Sequence, residues 1–96
     1  MELRHYLETV IVKRLLKRHS IKSISLFSDI ETLKKNEHIP EIIASHMHTV
    51  RAVGNWANHM EELGKQVQVI HIYPSITAFA AILYWMNTNQ NNVASQ

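Results

Sequence analysis

Residues 40–60 read PEIIASHMHTVRAVGNWANHM. Ile42, Ile43, Met47, Val50, Val53 and Ala57 return at steps of three and four residues, the period of an α-helix. Pro40 suits a helix start, where its missing N–H costs nothing. Pro40 also disfavours α geometry at Ile39, so any earlier helix has ended by then. The spacing therefore predicts a helix from Pro40 to about Met60. Gly54 sits inside it at a cost of up to about 1 kcal/mol against alanine, which marks the place where a second helix crosses closely.

Working outward, Leu3, Leu7, Val10, Ile11 and Leu15 show the same period, with Val12 and Leu16 widening the apolar face, and predict a first helix over residues 2–19. Ser20-Ile21-Lys22-Ser23 breaks it. A shorter helix is expected from Ser25 to Lys35, with Leu26, Phe27, Ile30 and Leu33 as core candidates. Residues 61–74 read as the longest irregular stretch, with strand character in Val67, Val69, Ile70 and Ile72. Pro74 then opens a last helix, Ser75 to about Met86, in which Ile76, Phe79, Ala80, Ile82, Leu83 and Trp85 leave little polar surface. Such a helix is buried or sits in an interface. The Asn/Gln-rich end reads as a disordered tail, which makes 1–87 the domain and 88–96 the tail.

Two Gly and two Pro in 96 residues are too few turn residues for a sandwich or barrel. The chain is long enough for one domain, and its 46% hydrophobic content is ordinary for a globular protein. The expected class is all-α, a four-helix antiparallel bundle. With no Cys there is no disulfide framework and no thiolate metal site. No uninterrupted apolar run approaches the roughly 20 residues of a membrane span, and the first residues lack the apolar core of a signal peptide. The reading is a cytoplasmic protein with no membrane partner.

The net charge is only +2, but Arg4, Lys13, Arg14, Lys17, Arg18 and Lys22 crowd residues 1–22 against Glu2 and Glu8. Lys13, Arg14, Lys17 and Arg18 are thus candidates for nucleic-acid contact. The competing reading is a solvated helix face with cations near its C-terminal end.

The third helix carries the chemistry-bearing side chains. At about 100° per residue, with Arg51 at zero, Asn55 falls near 40°, His48 near 60°, His59 near 80° and Asn58 near −20°. A histidine can move protons at neutral pH, and a guanidinium can grip a phosphate through two parallel hydrogen bonds. An asparagine between them can orient a hydroxyl. Arg51, Asn55 and His59 are therefore candidate catalytic residues, and Arg51 and His48 candidate nucleic-acid contacts. The plainer reading is a polar network that fixes the register of the bundle. His46 and His48 cannot share a helix face, His48 and His59 are too far apart for one ion, and His5, His19, His38 and His71 show no ligand spacing. No metal and no cofactor is expected, and phosphate-loop, GxSxG and HExxH motifs are absent.

The run from His48 to His59 resembles the signature "LH-x-[LI]-R-x-x-G-N-x-A-x-H" of a bacterial HEPN-like domain family of unknown function, often an accessory module beside restriction-enzyme subunits and kinases. Arg4, Leu7, Glu8, Leu15 and Leu16 are similar to its opening helix. Leu26-Phe27 with Ile30 and Leu33 resembles its second segment, Ile39-Pro40 precedes the motif helix as in the family, and Ile76-Thr77-Ala78-Phe79 resembles its closing helix. The resemblance implies a four-helix bundle, frequent homodimers, and in active HEPN proteins metal-free RNA cleavage by Arg-x(4–6)-His. Here Arg51 and His59 are separated by seven residues and Asn55 and His59 by three. The expectation is thus a noncatalytic module for dimerisation and partner binding, with nucleic acid a candidate partner, in a defence setting. The partner for the apolar last helix is a second copy or a fused domain. The alternative is a metal-free endoribonuclease of toxin or defence type, with His59 as general acid/base, Arg51 as phosphate clamp and Asn55 as orienter.

Overall fold

The computed structural model describes residues 2–90, and among these there is no strand. Helix α1 begins as Leu3–Tyr6, continues through a π-helical stretch, Leu7–Val12, and ends as Lys13–Arg18. The residues at both junctions keep right-handed helical angles, so the three pieces form one rod. α2 is Leu26–Lys35, α3 is Glu41–Glu62 and α4 is Val69–Trp85, extended by a π turn, Met86–Gln90. The tail expected over 88–96 lies mostly outside the described residues.

The core draws on every helix in the expected period: Leu7, Ile11 and Leu15 on α1, Leu26, Ile30 and Leu33 on α2, Ile43, Met47 and Val50 on α3, Ala78, Ile82 and Trp85 on α4. The π stretch widens the buried face of α1. Its Lys13 N–H bonds back to the Glu8 carbonyl five residues earlier. A π turn admits an extra residue per turn, and Ile11-Val12 and Leu15-Leu16 both enter the core as adjacent pairs.

α3 runs against all three other helices. Phe27 and Glu31 on α2 meet Arg51 and His48 in reverse order. Glu2 at the start of α1 meets Asn58 near the end of α3, and Trp56 on α3 meets His71 near the start of α4. α1 and α2 therefore point the same way, which corrects the simple up-and-down order at the first connection. The extended link after Ser20 carries the chain back before α2 begins. Ser25 caps α2 by accepting from the Ser28 N–H, and buried Asp29 pins the link through Ser23 Oγ at 2.7 Å and the Ile24 N–H at 2.9 Å.

Three helices end in the same device. The N–H groups of Ser20 and Ile21 return to Lys17 and Leu16, those of Glu37 and His38 to Lys34 and Leu33, and those of Gly64 and Lys65 to Glu61 and Met60. Each is a Schellman turn, with its left-handed residue at Ser20, Glu37 and Gly64. Only one of the three has the glycine that this conformation favours.

Several expectations need correction. α4 starts at Val69, not Ser75, so Pro74 lies inside the helix and the stretch expected as extended is mostly helical. α4 lies along α3, with His71 edge-on to Trp56 at 5.4 Å, and that packing outweighs the strand preference of the valine- and isoleucine-rich segment. Because the helix is longer than expected, Val69–Thr88 reaches 20 residues and is apolar enough to cross a membrane by length and composition, although 28% of its apolar 18-residue stretch is buried in the fold. Phe27 and Ile42, expected in the core, are exposed, and so are Ile76 and Leu83. The close crossing expected at Gly54 is present: a Cβ there would stand 2.7 Å from Arg4 Cβ.

Candidate functional site

The polar face of α3 divides into two halves. At the N-terminal half, the His48 imidazole bridges two helices. Its Nδ1 accepts from Arg51 Nε at 3.2 Å, which leaves the ring proton on Nε2 to be donated to Glu31 Oε2 at 2.7 Å. Glu31 also pairs through its other oxygen with Lys34 Nζ at 3.2 Å. The His48 hydrogen bond, then the Lys34 contact, hold the Glu31 carboxyl below its ordinary range. The Arg51 guanidinium lies 5.1 Å from the centre of the Phe27 ring, in cation–π range, and the same ring tilts against His48 at 5.1 Å. Phe27 is the apolar floor of a charged cluster.

At the C-terminal half, Asn55 and His59 are exposed. Among the described residues, neither side chain has a hydrogen-bond partner. Arg51 and His59 are eight positions apart, about 12 Å along a helix axis. The three residues grouped from the sequence thus share a side of α3 without converging on one point.

A second polar cluster lies where α1 begins. Glu2 Oε1 accepts from Arg4 Nε at 2.9 Å and from Asn58 Nδ2 at 3.1 Å. Arg4 packs across Gly54, and a cleft of about 440 Å³ opens beside them between α1, α3 and α4. Asn58, at the edge of the expected stripe, therefore serves this clamp rather than the Arg51 cluster.

Lys13, Arg14, Lys17 and Arg18 are all exposed on the outer side of α1. The first three line a shallow groove of about 280 Å³ with Thr9 and Val10. Neither Arg51 nor His48 lines that groove. Among the described residues, no three His, Asp or Glu side chains come together as a metal site would require.

Glu31, Lys34 and the role of Phe27 went unread in the sequence. The His48–Arg51 spacing of three hinted at a contact within α3, but Glu31 reaches His48 from another helix, and no periodicity reports that. His19 and His38 were missed as a pair as well. Their rings stack at 3.5 Å with 8° between planes, joining the end of α1 to the end of α2.

No curated protein and no solved structure matches the chain significantly. The model of the family described as "Domain of unknown function (DUF4145)" matches residues 1–92, nearly the whole of this all-helical chain, and the chain belongs to that family.

Proposed function

We propose that the chain is a noncatalytic, HEPN-like helical module that self-associates and binds a partner, with nucleic acid one class the basic face of α1 suits. The observation that carries the noncatalytic reading is the state of His48 and His59. Both ring nitrogens of His48 are engaged within the protein, so neither is open to exchange a proton with a substrate. His59 has no side chain to orient it, and Arg51, about 12 Å away along the helix axis, is held instead by His48 and Phe27. A general acid/base needs a position within hydrogen-bond reach of the reacting atom, and the Arg51 cluster offers none.

The metal-free endoribonuclease stays as the second reading because Asn55 and His59 are exposed one helical turn apart, open to a substrate. The deciding experiment incubates wild type and His59→Ala with structured and single-stranded RNA without metal and melts both proteins. The expected result is no cleavage by wild type, and near-identical melting, because a surface substitution without partners shifts stability by no more than about 0.5 kcal/mol. Metal-independent cleavage by wild type that is lost in His59→Ala overturns the noncatalytic reading.

A further inference from the structure

We infer that α4 is the self-association surface, and that its outer face packs antiparallel against α4 of a second copy. The inference rests on the self-associating reading above and names the surface and the pairing.

α4 is apolar on both sides. One side, with Ala78, Phe79, Ile82 and Trp85, belongs to the core. On the other, Val69, Tyr73, Ile76, Ala80 and Leu83 follow one another at steps of four, three, four and three, and all are exposed. This is the 3.5-residue repeat by which one helix seats its side chains between those of another. Ile70 and Tyr84 flank the seam, and Tyr84 is 71% exposed.

Three observations favour a second copy over another occupant. Val69–Trp85 contains no Asp, Glu, Lys or Arg, so two identical seams meet without burying a charge, whose desolvation is expensive. The area is sufficient. Covering the exposed parts of Val69, Ile70, Tyr73, Ile76, Leu83 and Tyr84 removes on the order of 600 Å² per copy, taking about 150–250 Å² for a whole aromatic side chain. The pair then buries about 1,200 Å², the lower bound of a specific complex. A bilayer fits less well. An interfacial helix presents a basic polar face to water, whereas the face of α4 opposite the seam is committed to the core.

The side chains also select the direction. Antiparallel pairing about the middle of the seam sets Ile76 against Ala80 and Tyr73 against Leu83 of the other copy, larger against smaller, as close packing requires. Parallel pairing sets Tyr73 on Tyr73 and leaves Ala80 facing Ala80 across a gap.

The cysteine-free chain makes the test clean. Tyr73→Cys/Leu83→Cys, oxidised mildly, should form an interchain disulfide, while Tyr73→Cys alone should not. Within one copy these positions are about 15 Å apart along the axis, too far to bridge. Ile76→Glu should bring the light-scattering mass from twice 11.1 kDa down to 11.1 kDa, with the helical circular dichroism unchanged because Ile76 is exposed. A wild-type dimer that survives Ile76→Glu and fails to cross-link overturns the α4 surface and leaves self-association standing. Ready cross-linking of Tyr73→Cys alone overturns the antiparallel direction. A wild-type monomer at tens of micromolar overturns both self-association and the surface. So does a monomer that co-sediments with phosphatidylcholine–phosphatidylglycerol vesicles through Ile76, which makes lipid the occupant.

Discussion

Arg4 lies across Gly54 so closely that a Cβ on the glycine would stand 2.7 Å from Arg4 Cβ and 3.1 Å from its Cδ. The start of α1 meets the C-terminal half of α3 at that point. The contact involves the base of the arginine side chain, which cannot swing aside as its tip could.

Gly54→Ala should therefore push α1 away from α3 and break the Glu2–Asn58 hydrogen bond. Overpacking of this kind costs about 1–3 kcal/mol, and each kcal/mol lowers the melting temperature of a domain this size by roughly 4–8 °C. Differential scanning calorimetry measures it. Adding Arg4→Gly should recover a large part of the loss, since the clash needs both side chains.

Ser20 and Glu37 hold φ of 57° and 61°, in the left-handed region that L-residues disfavour. That conformation costs roughly 1–2 kcal/mol for a residue with a Cβ, while glycine returns about 0.5–1 kcal/mol through its greater freedom in the unfolded chain. Ser20→Gly and Glu37→Gly should each stabilise the protein, by up to about 1 kcal/mol. A lower urea midpoint in either variant would contradict the assignment of strain to these turns.

Asp29→Ala should release the Ser23 hydroxyl and the Ile24 N–H beside the start of α2. Ser23 and Ile24 are exposed, so water can take the place of the carboxylate and the loss is the net worth of the two bonds, about 0.5–1.5 kcal/mol each. Amide exchange at Ile24 should accelerate in the variant, which separates a loosened link from a general loss of stability. Asp29→Asn keeps an acceptor and should lose less.

Burial, then His38, then Arg18 hold His19 below the ordinary histidine value of 6.5. Below that pH the unfolded chain binds more protons than the folded one. Stability therefore falls as pH drops through 6.5 toward the lower folded value and is retained above it. Urea titrations at about pH 7.5 and 5.5 should show the drop for wild type. In His38→Gln, which removes one of the two stacked rings, the drop should shrink. An unchanged difference would mean that the pair does not couple to folding.

The helices could be read from the chain because their cause is local. Side chains three and four residues apart share a helix face, and the alternation of apolar and polar positions records which face is buried. That is why α1, α2 and α3, the break at Ile39-Pro40 and the close crossing at Gly54 were all legible. The doubly apolar character of the last helix was legible for the same reason. Its start was not: Val67 to Ile72 favour a strand taken alone, and contact with α3 decides for helix.

The candidate site divides along the same line. Residue types and helical spacing placed Arg51, Asn55 and His59 on one side of α3. The sequence by itself thus determined the helical class, the helix faces and the polar stripe, because all of these follow from neighbours within one or two turns. Only the tertiary structure decided that α1 and α2 run in parallel, that Phe27 supports Arg51 instead of filling the core, and that Glu31 rather than His59 completes the Arg51–His48 cluster. Those outcomes depend on which groups from distant segments arrive within hydrogen-bond range, and the His48–Glu31 contact joins residues 17 positions apart on different helices. No periodicity along a single helix encodes a distance across two.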